Sequence, residues 1–168
     1  MPTTTIPAEE HQTRWQEIVE DPTLRNLPYK VETNKRGQIV LSPQTNRHSL
    51  LQKAVEKKLD ALLSDGEAVP EWAIATAGGT KQADVIWTSD EQLREMRKTG
   101  DPTTLAPEIC VEVMSDSNDW EEMTETRALY RTAGAEEVWG VTEDGEVHFF
   151  ADEEIDPSEI APNFPNRV

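Results

Sequence analysis

Apolar positions recur along this chain with two different periods, and their alternation predicts an α/β domain. Leu50, Leu51, Ala54, Val55, Leu59 and Leu62 follow one another at three- and four-residue steps, with Lys53, Glu56, Lys57 and Asp60 opposite. That spacing makes one apolar stripe on a helix from His48 to about Leu63, with Asn46 as its N-cap and Asp65-Gly66 as its stop. An earlier helix is expected to start at Pro7-Ala8-Glu9-Glu10, to dock through Trp15, Ile18 and Val19, and to end at Asp21-Pro22. Between them, Val31–Thr33 and Gln38–Leu41 flank Asn34-Lys35-Arg36-Gly37, which reads as a β-hairpin with the glycine in its turn. Val69–Thr76 and Ala83–Thr88 read as paired strands around Ala77-Gly78-Gly79-Thr80. Ser89 then caps a short helix to about Arg97, and Thr99–Pro107 is a loop.

The run from Ile109 to Met114 is apolar and β-branched, as a strand buried on both faces requires. A polar Ser-Asp-Ser-Asn-Asp turn, a helical stretch, Gly134 and a second apolar run at Val138–Val141 complete a βαβ unit. Asp144-Gly145 turns the chain back into a closing strand, Glu146–Phe150. Acids and prolines dominate from Ala151 onward, so a tail that is poorly ordered or laid along the surface is expected there. The resulting division is an N-terminal helix and arm at 1–24, one domain at 25–150 and an acidic tail at 151–168.

Composition adjusts this picture in three ways. The chain has 168 residues, 36% of them hydrophobic, enough for one ordinary core. It has no apolar run of membrane-spanning length, and its first residues lack the pattern of a secretory signal. The single cysteine, Cys110, sits inside an apolar strand and is expected to pack as a small hydrophobe. These features point to a cytoplasmic protein without membrane partners. The formal net charge of −17 disfavours non-specific binding to polyanions and favours cations or basic partners.

Three acids interrupt or border the apolar strands: Glu32, Asp84 and Glu112. A carboxylate inside a buried strand is costly unless something pairs it. Two such acids on adjacent strands could converge on one Mg²⁺, which takes oxygen ligands. Strand acids also occur at sheet edges or as partners of Arg or Lys, and the residues alone leave both readings open. Basic residues gather at Lys53, Lys57 and Lys58 and at Lys30, Lys35 and Arg36. They read first as solvated, salt-bridged faces and second as a phosphate-binding rim. The five Trp read as core or interface.

The order of several short features resembles the Uma2 family of restriction endonucleases, a branch of the PD-(D/E)XK nuclease superfamily. They are Glu32, Gly37, Ser42-Pro43, His48, Ala83-Asp84-Val85, Glu112-Val113-Met114-Ser115, Ala128-Leu129-Tyr130, Ala133-Gly134 and Val138-Trp139. The resemblance implies a restriction-endonuclease-like fold, with a central mixed β-sheet flanked by α-helices. It implies Mg²⁺ or Mn²⁺ held by Asp84 and Glu112, with Glu32 as an auxiliary acid and His48 reaching a substrate phosphate. DNA is the implied substrate and a homodimer the implied assembly. The sequence departs from the family where a lysine belongs. Two residues after the second acid stands Met114, and four residues before the tyrosine stands Thr126. Arg127, next along the helix, is the candidate for taking up charge in the lysine's place, although arginine cannot act as a general base. Thr126→Lys is expected to restore activity if this element alone is missing. The alternative is a catalytically degenerate homologue acting as a non-enzymatic interaction protein.

Overall fold

The protein is described from a computed structural model covering residues 6–115 and 120–168. The expected polar turn, residues 115–119, lies outside the described residues except for Ser115, and the first five residues lie outside them too. Helix α1 (Ala8–Glu20) is followed by a single 3₁₀ turn at Pro22–Leu24 and the hairpin of β1 (Tyr29–Thr33) and β2 (Ile39–Pro43). Helix α2 (Asn46–Leu62) leads into the long strands β3 (Gly66–Thr76) and β4 (Gly79–Ser89) and the short helix α3 (Asp90–Arg97). The expected βαβ unit is β5 (Ile109–Val113), α4 (Trp120–Thr132) and β6 (Glu137–Val141). Strands β7 (Val147–Phe150) and β8 (Glu154–Ile155) close the chain. The helix caps follow side-chain chemistry: Ser89 accepts from Gln92 N as expected, whereas α2 is capped by Thr45, whose hydroxyl accepts from His48 N.

Six strands form one mixed sheet in the order β3-β4-β5-β6-β7-β8, in which only β5 and β6 run parallel. The α4 crossover makes that parallel pair, as a βαβ connection must. Side-chain alternation sorts β5 onto two cores. Ile109, Val111 and Val113 pack with Val55 and Leu59 of α2, Trp139 and Phe149. Cys110 packs on the other face with Met123 and Tyr130 of α4, Ile86 and Val138. Glu112 shares this second face, and its burial at 7% exposure makes its partners decisive.

The separate β1–β2 hairpin is laid against the start of β4. Gln82 N donates to Glu32 Oε2 at 2.8 Å, Thr80 N donates to Thr33 Oγ1 at 2.7 Å, and Lys81 Nζ donates to Thr33 O at 3.1 Å. The approach is close enough to require glycine: at Gly79, where φ is +107°, a Cβ would lie 2.2 Å from Thr33 O.

The C-terminal segment differs from the expected surface tail. Ser158, Ala161 and Phe164 are buried, and the Phe164 ring packs 4.7 Å from the Trp139 ring, centroid to centroid. The reason lies in Glu137, a buried acid at the start of β6. It accepts from Trp139 Nε1, Ser158 Oγ, Glu159 N and Ile160 N, at 2.6 to 3.0 Å. An acidic composition did not reveal a segment held by another residue's carboxylate and one buried phenylalanine.

Candidate active site

Asp84 and Glu112 meet because of strand register. Val85 pairs with Val111 and Ile86 with Cys110, so one further step along the ladder sets Asp84 across from Glu112. Asp84 is almost fully buried, at 1% exposure. Its Oδ2 accepts from the backbone N–H of Val113 at 2.7 Å. Its Oδ1 faces a cleft, with His48 Nε2 at 3.2 Å and Lys30 Nζ at 3.2 Å. Glu112 repeats the arrangement. Its Oε1 accepts from the Tyr130 hydroxyl at 2.6 Å, and its Oε2 accepts from Lys30 Nζ at 3.1 Å. Each carboxylate is therefore fixed through one oxygen and turns the other toward one cationic centre, the Lys30 ammonium. Glu32 stands beside them, with Oε2 3.9 Å from the same nitrogen.

The cleft has a volume of about 60 Å³. Its walls bring together four of the five residues singled out in the sequence: Glu32, His48, Asp84 and Glu112. The fifth, Arg127, is elsewhere. Its guanidinium lies over the Phe150 ring, 4.6 Å from the centroid, in a neighbouring groove with Trp120, His148 and Glu154. Successive helical residues are about 100° apart, and Thr126 is the one that lines the cleft. Arg127 is thus not positioned to take up charge beside the acids, which corrects the expectation for it. Met114 also lines the cleft and brings no charge.

Sequence reasoning missed Lys30, which it grouped with Lys35 and Arg36 as a basic rim. The available signal was the Lys30-x-Glu32 spacing, which places both side chains on one face of a strand. The role of Tyr130 was also missed; it anchors Glu112 from α4.

The electrostatics follow from three largely buried carboxylates sharing one ammonium. Burial pushes Glu112 up, Lys30 opposes this, and Asp84 and Glu32 reinforce it; the net effect raises the carboxyl to about 8. Asp84 also meets a burial penalty, but Lys30, His48 and the Val113 N–H outweigh it and hold the group below the ordinary carboxylate range. For Lys30, burial alone would lower its pKa; the charges of Glu112, Asp84 and Glu32 reverse the sign and raise it. Buried Tyr130, facing Glu112, is pushed well up and remains a phenol donor.

The donor set suits a hard divalent cation. Asp84 Oδ1 and Glu112 Oε2 converge on one positive centre, and Val113 N and Tyr130 orient the two carboxylates from behind. No ready-made group of three or more His, Cys, Asp or Glu ligands occurs among the described residues. Magnesium does not require one, since it is commonly bound by one or two carboxylates, with water and substrate oxygens completing the shell.

Residues 15–165 match the Uma2 family, described as "putative restriction endonuclease". The chain belongs to the Uma2 family. That match spans every element around the cleft. Uma2 membership agrees with a solved structure described as a putative nuclease belonging to DUF820 from Anabaena variabilis. The two share a TM-score of 0.67 at 12% identity, over 89% of this chain and 93% of that one. At this identity the likeness concerns the fold, and it supports the nuclease-like mixed sheet with flanking helices. Among curated proteins nothing matches the chain. No helix among the described residues is long and apolar enough to cross a membrane.

Proposed function

We propose that this Uma2 protein hydrolyses phosphodiester bonds in DNA, using Mg²⁺ or Mn²⁺ held by Asp84 and Glu112. One observation carries the reading. Two buried carboxylates on adjacent strands are each anchored through one oxygen, and their other oxygens turn to a common cationic centre. Anchored ligands of this kind are pre-organised, so little ordering remains when substrate arrives.

When bound, the metal ion supplies Lewis acidity toward a phosphoryl oxygen and toward water. The chain's own residues do the rest. Val113 N and His48 fix Asp84, while Tyr130 fixes Glu112. His48, at the first turn of α2, stands where it can also meet a substrate phosphate. Glu32, tied to Gln82 N, orients water beside the two ligands. In the reaction water gives up a proton as its oxygen bonds phosphorus, one P–O ester bond breaks, and the departing oxygen takes up a proton, so that one water is added across the bond. The wider expectations fit this reading: a homodimer would set two clefts against two strands, and a cytoplasmic location would give access to DNA.

The test is Mn²⁺ titration by calorimetry with Glu112→Ala as control, followed by cleavage assays on single- and double-stranded DNA. Binding lost in the variant, with metal-dependent cleavage in the wild type, supports the proposal. A second reading is favoured by the same ammonium, which fills the cation's place: a degenerate homologue whose acids are neutralised by Lys30 for good. It predicts no Mn²⁺ binding and no cleavage at millimolar metal.

A further inference from the structure

The resemblance places a lysine just after β5 or on α4, where Met114 and Thr126 stand. The structure offers a cation from a third element. Among the described residues lining the cleft, Lys30 is the only Lys or Arg. It comes from β1, lines the same cleft as Thr126, and its side chain is only 10% exposed. Its ammonium contacts Asp84 Oδ1 at 3.2 Å and Glu112 Oε2 at 3.1 Å. The strand that carries it is fixed to β4 through Glu32 and Thr33.

We infer that Lys30 is the catalytic lysine of this protein, supplied from the hairpin strand β1 in place of the helix position now held by Thr126. The inference rests on the metal-dependent reading of the cleft above. An ammonium and a metal ion cannot both occupy the point between Asp84 Oδ1 and Glu112 Oε2. Lysine has a flexible four-carbon stem with three rotatable donors. Displaced from the two oxygens, the ammonium remains confined to the cleft by its strand and meets the phosphate that enters it. There it donates to a non-bridging oxygen and offsets the charge that builds as water adds to phosphorus. In the metal-free protein the same ammonium balances the buried acids. Only the first role makes Lys30 more than a structural counter-ion.

The two roles separate experimentally. Lys30→Met, Thr126→Lys and the double variant are compared with wild type by Mn²⁺ calorimetry, thermal unfolding and cleavage kinetics. The inference expects Lys30→Met still to bind Mn²⁺, because both carboxylates remain and no ammonium competes for their oxygens. It expects kcat to fall about 100-fold or more, as for loss of one charge-stabilising donor. Lysine at position 126 in the Lys30→Met background should recover about tenfold or more of that loss. Cleavage by Lys30→Met within about threefold of wild type would overturn the inference and leave the metal reading standing. Loss of Mn²⁺ binding together with cleavage, without rescue from position 126, would make Lys30 a structural counter-ion. Thr126→Lys alone gives a check that does not depend on how Lys30→Met folds. It should change wild-type cleavage by less than about threefold, and a gain of about tenfold or more would mean that the charge had been missing. Wild-type protein that binds no Mn²⁺ overturns the metal reading, and the inference falls with it.

Discussion

Glu112→Gln should stabilise the metal-free protein, and the gain should grow with pH. In the folded chain the Glu112 carboxyl is raised from 4.5 to about 8. A carboxyl raised on folding favours the folded state fully below its ordinary pKa, and that contribution is lost as pH climbs through the folded value. The window therefore runs from about pH 4.5 to about pH 8. At 1.36 kcal/mol per unit, the shift sets an upper limit of about 5 kcal/mol on the stability lost across it. Glutamine keeps the shape of the protonated acid and can still accept from the Tyr130 hydroxyl. At pH 5 the variant and wild type should thus unfold alike, and by pH 9 glutamine should be ahead by a few kcal/mol. Asp84 does not blur the comparison. Its pKa is lowered, so its contribution is present above the ordinary carboxylate range and is lost only as pH falls through its folded value. The raised Lys30 pKa likewise acts only in strong alkali. The assay is urea unfolding in EDTA at intervals from pH 5 to pH 9. A variant less stable than wild type throughout pH 6–9 would refute the reasoning. It would mean that Glu112 is ionised at neutral pH and that its pairing with Lys30 is net stabilising.

Four other substitutions probe separate links. Tyr130→Phe leaves Glu112 Oε1 without its 2.6 Å donor and should cost about 1–3 kcal/mol in urea unfolding; an unchanged midpoint would mean that water replaces the hydroxyl. His11 is buried with both ring nitrogens unpartnered, and burial lowers its pKa, opposed by Glu10 and assisted by Lys81. Its stabilising contribution is therefore present above pH 6.5 and lost as pH falls through the folded value, so His11→Leu should raise Tm more at pH 5 than at pH 7; an equal or negative shift at pH 5 counts against this. Glu137→Ala removes the acceptor for four donors and should release residues 158–164 to limited proteolysis while costing about 3 kcal/mol or more; a protease-resistant variant would place the holding contact at Phe164 instead. Arg127→Ala should leave kcat within about twofold, because the guanidinium stacks on Phe150 outside the cleft; a loss of about 100-fold would return Arg127 to the chemistry.

The central βαβ unit was legible because its residues obey local rules. Five consecutive buried residues, Ile109–Val113, cannot form a surface strand, and the short span to Val138 leaves room for one crossover helix. Asp84 and Glu112 were legible for the opposite reason: each breaks an apolar pattern at a cost that demands a partner. What stayed hidden was long-range pairing. The partner Lys30 lies 82 residues from Glu112, and Glu137 finds its donors 21 to 23 residues away. Only Trp139, two residues from Glu137, is a near donor. Periodicity says which face of a strand a side chain occupies but not which other strand lies over that face. The Arg127 assignment failed on a smaller matter: one residue along a helix is enough to turn a side chain from one groove into the next.

The position of Lys30 also explains how a chain of net charge −17 can keep three acids in one narrow cleft. Without a fixed cation, Asp84 and Glu112 would face each other across adjacent strands, and burial would raise both. A lysine on α4 would be held by a different element from the strand that carries Asp84. A lysine on β1 depends on a hairpin bound to β4 by Glu32 and Thr33, the same strand that carries Asp84. Cation and acid then come from two strands, of separate sheets, joined by those hydrogen bonds. An uncharged residue at position 126 is compatible with folding because the site's charge balance comes from β1 rather than from the helix. Whether it is compatible with catalysis turns on Lys30, and the size of any gain in Thr126→Lys decides it.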